Sequence, residues 1–446
     1  MSISKINARP LHSAPVRTTP RATDIKAGRI FNNRYLVVEV LTSGGMANVC
    51  RAIDLDQLRH NLTALGDPSR TSLGLNLLHQ IVSGTNEEDI AKVLNSKQCK
   101  QLKKLGLMMG TEVHIKAAQG HMKDFLVRES HFMGIIPNQH ASLSIEHGET
   151  DDTGYFLVQR SIDGYTLDAL LYERDFDLSE AINIIRNVLV GLDAAHRQTF
   201  NGYTGFVHRD IKPANIVVDH ARRVYIIDWG TVHPMQEQID DQLIGTVSYM
   251  APEQIRGNTR LDARTDIYAL AIIFQEMVTG VKSPMRTIDV PGLLSQEKLA
   301  HIMWKKTHTE MPPLAASSIA DKLKVDTVSG ETASPTIEFN KLSRHIQDQI
   351  NLLHSQLNRI ILEATSKEME ERIGVGEMLF QLDAIDNTYR QLKAAEVQYI
   401  IPARGEQDED LPTQVLVGAN SPVDPLIDGE PTVVFRKYPE ISSFYS

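Results

Sequence analysis

"HRDIKPAN" (His208–Asn215) is followed within a dozen residues by "IIDWG" (Ile226–Gly230). Apolar runs beside them, "NIVVD" and "RVYII", read as short strands, so the polar residues fall in the connecting loops. Transfer of a phosphoryl group to a hydroxyl needs a carboxylate to orient the attacking oxygen. It also needs oxygen ligands that hold magnesium on the phosphates. Asp210 suits the first task, and Asn215 with Asp228 the second. Lys212, two residues beyond Asp210, is placed to reach the transferring phosphate. A plain polar loop between strands would have no need of this residue set at this spacing.

Upstream, "RYLVVEVL" (Arg34–Leu41) and "NVCRAIDL" (Asn48–Leu55) read as strands around a glycine-containing turn, and "TEVHIKAA" (Thr111–Ala118) as another strand. Between them, residues 56–110 show apolar residues at i, i+3, i+4 spacing, which predicts an inserted helical piece. "KDFLVRESHFMGII" predicts a helix ending at Pro137, and "GYFLVQRSI" (Gly154–Ile162) a strand. Downstream, Leu178–Gln198 and Thr265–Gly280 predict long apolar helices, and the remainder to about Gln398 is mostly helical. Strands with a helical insertion first, then mainly helices, predict a two-lobed α+β domain with a cleft between the lobes.

In this order the motifs resemble the eukaryotic-like (Hanks-type) serine/threonine protein kinases, in their bacterial branch, from about Ile30 to Asp386. The resemblance implies a β-rich N-lobe over a helical C-lobe, with ATP and Mg2+ in the cleft. It makes "LTSGGMANV" (Leu41–Val49) the glycine-rich loop, with Gly44, Gly45 and Val49 at the nucleotide. "VHIK" supplies Lys116 for the α- and β-phosphates, and Glu129 in "LVRES" is its ion-pair partner. "FLVQRSIDGYTL" resembles the hinge: Gln159 guards the back pocket, while the Arg160 carbonyl and the Ile162 amide bond adenine. Asp210, Lys212, Lys116 and Glu129 form the catalytic set, and Asn215 and Asp228 hold the metal and face the nucleotide. "GTVSYMAPEQ" (Gly245–Gln254) shapes a peptide site in which Thr246 stands near Asp210. Glu253 pairs with Arg372, and Asp266 caps the catalytic loop from beneath.

The chain departs from that pattern in places. Thr42 and Ala47 replace glycines, and His114 stands where the family has a small alanine over the adenine ring. From Val232 to Gly245 the activation segment has no Ser or Thr. One of its acids, Glu237, Asp240 or Asp241, is therefore expected to pair with Arg209 in place of a phosphate. These departures keep open a pseudokinase that binds a partner or nucleotide without efficient catalysis. A small-molecule phosphotransferase of related fold is disfavoured by the peptide-site segment.

Size and composition bound the rest. At 446 residues, with 42% hydrophobic and 23% charged residues, the chain suits a soluble globular protein. A net charge of −10 disfavours nucleic acid as a whole-chain partner. No apolar run reaches the ~18 residues of a membrane span, and the start lacks a secretory signal. The two cysteines, Cys50 and Cys99, read as free thiols of a reducing compartment. The domain reading is a basic disordered arm over 1–29, an N-lobe over 30–162 with the insertion, and a C-lobe over 163–398 with an extra loop at about 315–343. An acidic disordered tail over 399–446 completes it. Beyond a protein substrate carrying Ser or Thr, the partners expected are a docking protein on the insertion and a forkhead-associated domain on tail threonines Thr413 and Thr432. The setting expected is the bacterial cytoplasm, or a host cytoplasm reached as a secreted effector.

Overall fold

The computed structural model describes residues 26–42, 47–64, 110–120, 123–136, 140–150, 154–235, 237–238, 244–257, 260–286, 295–315, 322–325, 342–395 and 397–401. The chain opens with strands β1 (Ile30–Phe31), β2 (Tyr35–Thr42) and β3 (Asn48–Asp54). Helix α1 (Leu55–Ala64) follows directly, and it is the first part of the predicted insertion. Asp54 starts it: the carboxylate accepts from the amides of Asp56 and Gln57 while bridging Arg34 at 3.0 and 2.7 Å. The remainder of the insertion, residues 65–109, lies outside the described residues.

The chain returns as β4 (Glu112–Ala118), helix α2 (Lys123–Met133), β5 (Ser144–Thr150) and β6 (Gly154–Arg160). These strands close an antiparallel sheet in the order β1-β2-β3-β4-β6-β5. Strand alternation divides β4. Val113, Ile115 and Ala117 enter a small core with Cys50, Ala52, Phe156 and Val158, and that leaves His114 and Lys116 together on the other face. Cys50 is a buried free thiol, and burial pushes its pKa up to about 11. Cys99 lies outside the described residues.

The second lobe starts at β7 (Gly164–Thr166), α3 (Leu167–Glu173) and β8 (Phe176–Asp177). Then comes α4 (Leu178–His196), capped by Asp177 accepting from the Ser179 amide. A hairpin of β9 (Thr199–Phe200) and β10 (Tyr203–Thr204) precedes β11 (Phe206–Val207). Its two-residue turn is Asn201-Gly202, both at positive φ (50° and 82°), a pairing whose backbone twist suits a tight hairpin.

β12 (Ile216–Asp219) and β13 (Val224–Ile226) form the predicted pair, and β14 (His233–Pro234) pairs back onto β11. Helices α5 (Pro252–Arg256), α6 (Ala263–Thr279), α7 (Ser295–His308), α8 (Arg344–Ala364) and α9 (Val375–Ala394) complete the lobe. α6 is buried from Thr265 through Thr279, which explains why it reads as apolar on every side.

The fold is the two-lobed α+β arrangement expected, with two differences. β15 (Leu323–Val325) occupies part of the segment expected as a loop at 315–343. β16 (Val397–Ile401) runs into the segment expected as a tail from 399. They pair with each other, and β16 also pairs with β8. Burial is the cause: Tyr399 is fully buried and its hydroxyl donates to the Val278 carbonyl at the end of α6. Among the described residues, no helix is long and apolar enough to cross a membrane.

Candidate active site

The cleft is lined from above by β4 and α2. The Lys116 ammonium lies 2.6 Å from Glu129 Oε1 and 3.0 Å from Asp228 Oδ1. Glu129 projects from the buried face of α2, and its side chain is only 2% exposed. That of Asp228 is 37% exposed and faces the open cleft. Burial opposes a charged Lys116, but Asp228 and Glu129 outweigh it and raise its pKa above the ordinary range. Lys116 in turn lowers Asp228, while burial raises Glu129. Asp228 sits in the left-handed region at φ +64°, which turns its carboxylate back toward Lys116.

The lower wall is the loop after β11. Asp210 Oδ1 accepts from the Thr246 amide and hydroxyl, each at 2.8 Å. Its Oδ2 lies 3.0 Å from Lys212 Nζ and 3.2 Å from Asn215 Nδ2. Lys212 Nζ donates onward to Thr246 Oγ1 at 3.0 Å. The Asn215 amide nitrogen also bonds the Asp210 carbonyl at 2.8 Å, an assignment made by the network, and its Oδ1 has no hydrogen bond among the described residues.

Asp266 holds this loop from α6. It accepts from the His208 and Arg209 amides at 2.9 and 3.0 Å and from His196 Nε2 at 2.9 Å. Burial opposes its ionised form, yet these donors prevail and its pKa is lowered. Burial keeps His208 neutral. Its Nδ1 accepts from the Asp210 amide, so the ring proton belongs on Nε2, facing the Ile227 carbonyl. Glu253 and Arg372 form a bidentate pair at 2.8 Å on both arms, joined by the Thr265 hydroxyl.

Of the residues expected at the nucleotide, Gly44 and Gly45 lie outside the described residues, and Val49 sits on β3 opposite Lys116. The Arg160 carbonyl accepts from the Ser142 hydroxyl at 2.6 Å, and the Ile162 amide has no partner among the described residues. His114 shares the cleft-side face with Lys116. Burial, then Lys116 and Arg51, lower its pKa and leave it neutral.

Of the three acids expected at Arg209, Glu237 is the one described, and it lies 3.9 Å from His233, whereas Arg209 Nε donates to the Thr231 carbonyl and its Nη2 is buried with no partner among the described residues. β14 sets this arrangement by pairing His233 and Pro234 onto β11. Asp240 and Asp241 lie outside the described residues. Three partners were not anticipated. Gln159 Nε2 donates to Glu129 Oε1 at 2.8 Å, Gln254 Nε2 to the Arg209 carbonyl, and His196 to Asp266. Only the first had a signal, since Gln159 and Lys116 lie on paired strands.

A family model described as the protein kinase domain matches residues 89–381. The chain is 35% identical over 180 residues to serine/threonine-protein kinase PknD of Mycobacterium tuberculosis, covering 40% of this chain and 25% of that protein. It is 28% identical over 260 residues to probable serine/threonine-protein kinase PknB of Lactococcus lactis, covering 57% and 33% respectively. It is 33% identical over 182 residues to serine/threonine-protein kinase PknH of Mycobacterium bovis, covering 40% and 29%. The chain thus spans only a quarter to a third of the length of these curated relatives.

Proposed function

Because the chain belongs to the protein kinase family, among its bacterial eukaryotic-like members, we propose that it transfers the γ-phosphoryl of ATP to serine or threonine hydroxyls of a protein. The observation that carries this reading is the Asp210 cluster. One carboxylate oxygen is held by Thr246 and the other by Lys212 and Asn215, at the foot of the cleft that Lys116 enters from above.

Asp210 orients the acceptor hydroxyl and takes its proton as that oxygen bonds to the γ-phosphorus and the bond to the ADP oxygen breaks. Lys212 and Lys116 stabilise the charge on the phosphates. Glu129, held by Gln159, fixes the Lys116 ammonium. Asn215 and Asp228 fit magnesium as hard oxygen donors, since Asn215 Oδ1 makes no hydrogen bond among the described residues and the Asp228 side chain is 37% exposed. Magnesium bound there would neutralise phosphate charge. Gly44, Gly45, Val49, Arg160 and Ile162 are assigned to the nucleotide.

The test is incubation with radiolabelled ATP, magnesium and a generic protein substrate. Label on serine or threonine that vanishes in Asp210→Ala supports the reading; equal label in both overturns it. A second reading, nucleotide binding without transfer, is favoured by His114 on the cleft face, and nucleotide binding with no label in the wild type would support it. We assign partner docking to the insertion at about 56–110, of which 65–109 lies outside the described residues, and forkhead-associated recognition to Thr413 and Thr432, which also lie outside them. A bacterial cytoplasmic setting, or delivery as an effector, rests on the same reading.

A further inference from the structure

Lys306 on α7 is a lysine with no exposed surface. Burying an amine away from water costs several kcal/mol unless a carboxylate offsets it. Among the described residues, Lys306 has no such partner within ion-pair distance. The neighbouring carboxylates are already engaged, Glu276 with Arg286 at 2.6 Å and Glu253 with Arg372 at 2.8 Å. Lys306 lies over the Tyr268 ring, 4.9 Å from its centroid, and the Arg372 guanidinium also lies against that ring at 5.0 Å. Among the described residues its amine donates one hydrogen bond, to the Met250 carbonyl at 3.0 Å. Burial, then Arg286, hold its pKa well below the usual lysine range.

Packing alone would favour methionine here, since replacing buried charged groups by apolar ones of similar volume is often neutral or stabilising. The amine's target is therefore informative. Met250 ends the loop that starts at Thr246, and the Met250 amide donates back to the Thr246 carbonyl at 3.1 Å. Thr246 in turn binds Asp210 through both its amide and its hydroxyl. A continuous hydrogen-bonded path thus runs from Lys306 through Met250 and Thr246 to the Asp210 carboxylate. Beneath it, Leu299, Ile302 and Met303 of α7 pack against Val247, Met250 and Ile255.

We propose that Lys306 is a positioning residue for the protein acceptor: its amino group pins the 246–250 loop, and so keeps Thr246 on Asp210 and the acceptor site in shape. This rests on the kinase reading above. It predicts a variant whose acceptor binding suffers while its fold does not.

In Lys306→Met, KM for the protein acceptor rises about tenfold, the worth of one hydrogen bond from a charged or strongly polar donor. The ATP dissociation constant stays within about twofold and the melting temperature does not fall. Amide hydrogen exchange quickens at 246–250 and not elsewhere. Lys306→Gln, which retains a donor, falls between the two. An unchanged acceptor KM, an ATP constant that rises in step with it, or a fall in melting temperature with uniform loss of activity would overturn the proposal. If the wild type transfers no phosphate, the kinase reading fails, and the exchange measurement decides alone: faster 246–250 amides in Lys306→Met support the pin, and unchanged amides reject it.

Discussion

His114 and His233 are the two side chains whose environments argue most directly for a measurable effect. His114 is neutral and shares the face of β4 that carries Lys116, where, on the proposed nucleotide-binding reading, its ring would narrow the space for a base. His114→Ala is expected to tighten ATP binding about tenfold, the worth of relieving a misfit of a few atoms, read by titration with a fluorescent ATP analogue. A weaker affinity in the variant would mean that the ring contacts the base. His233 has its pKa lowered from 6.5 to about 4, by burial first and by Arg209 next, with Glu237 opposing. The unfolded chain takes up that proton near pH 6.5 and the folded chain only near pH 4, so stability falls as pH drops through this window. Between pH 7 and pH 5, His233→Gln is expected to lose about 2 kcal/mol less stability than the wild type, by urea denaturation. Equal losses would contradict it. At this scale most of the site was legible, because Asp210, Lys212, Asn215 and Asp228 have fixed spacing within one short stretch. Lys306 was not, since a lysine in an amphipathic helix reads as solvated, and only the fold buries it against Met250.

The structural elements divide along the same line. α4 and α6 announced themselves because they are apolar over most of their length, and α6 is buried from end to end. β16 was hidden because its partners, β8 and β15, lie some 220 and 70 residues away in sequence, and no local pattern encodes a contact at that distance. The β9–β10 hairpin did carry a local signal, Asn201-Gly202, but its strands are two residues long and show no alternation. β16 closes the base of the C-lobe. Tyr399→Ala removes a fully buried ring and its bond to Val278, and should cost about 3–5 kcal/mol in chemical denaturation. ATP affinity of the folded variant should be unchanged. A loss under about 1 kcal/mol would mean that β16 is not part of the cooperative fold.

In the whole molecule the two lobes meet at a few charged groups. Lys116 and Glu129 belong to the upper lobe, and Asp228, Asp210 and Lys212 to the lower, with the Lys116–Asp228 contact bridging them. Below, Asp266 fixes the catalytic loop from α6, Gln254 reaches the Arg209 carbonyl from α5, and Lys306 pins the acceptor loop from α7. On the proposed reading, the other groups bind and the acceptor proton falls to Asp210. That separation makes Asp210→Asn the most direct test of the central claim, measured as kcat for acceptor phosphorylation against the dissociation constant for ATP with magnesium. With Asp210 as the base, kcat falls by about a hundredfold to ten-thousandfold while the ATP constant changes by less than about threefold. A variant that keeps its kcat, or loses kcat and ATP binding together, would contradict the role given to Asp210.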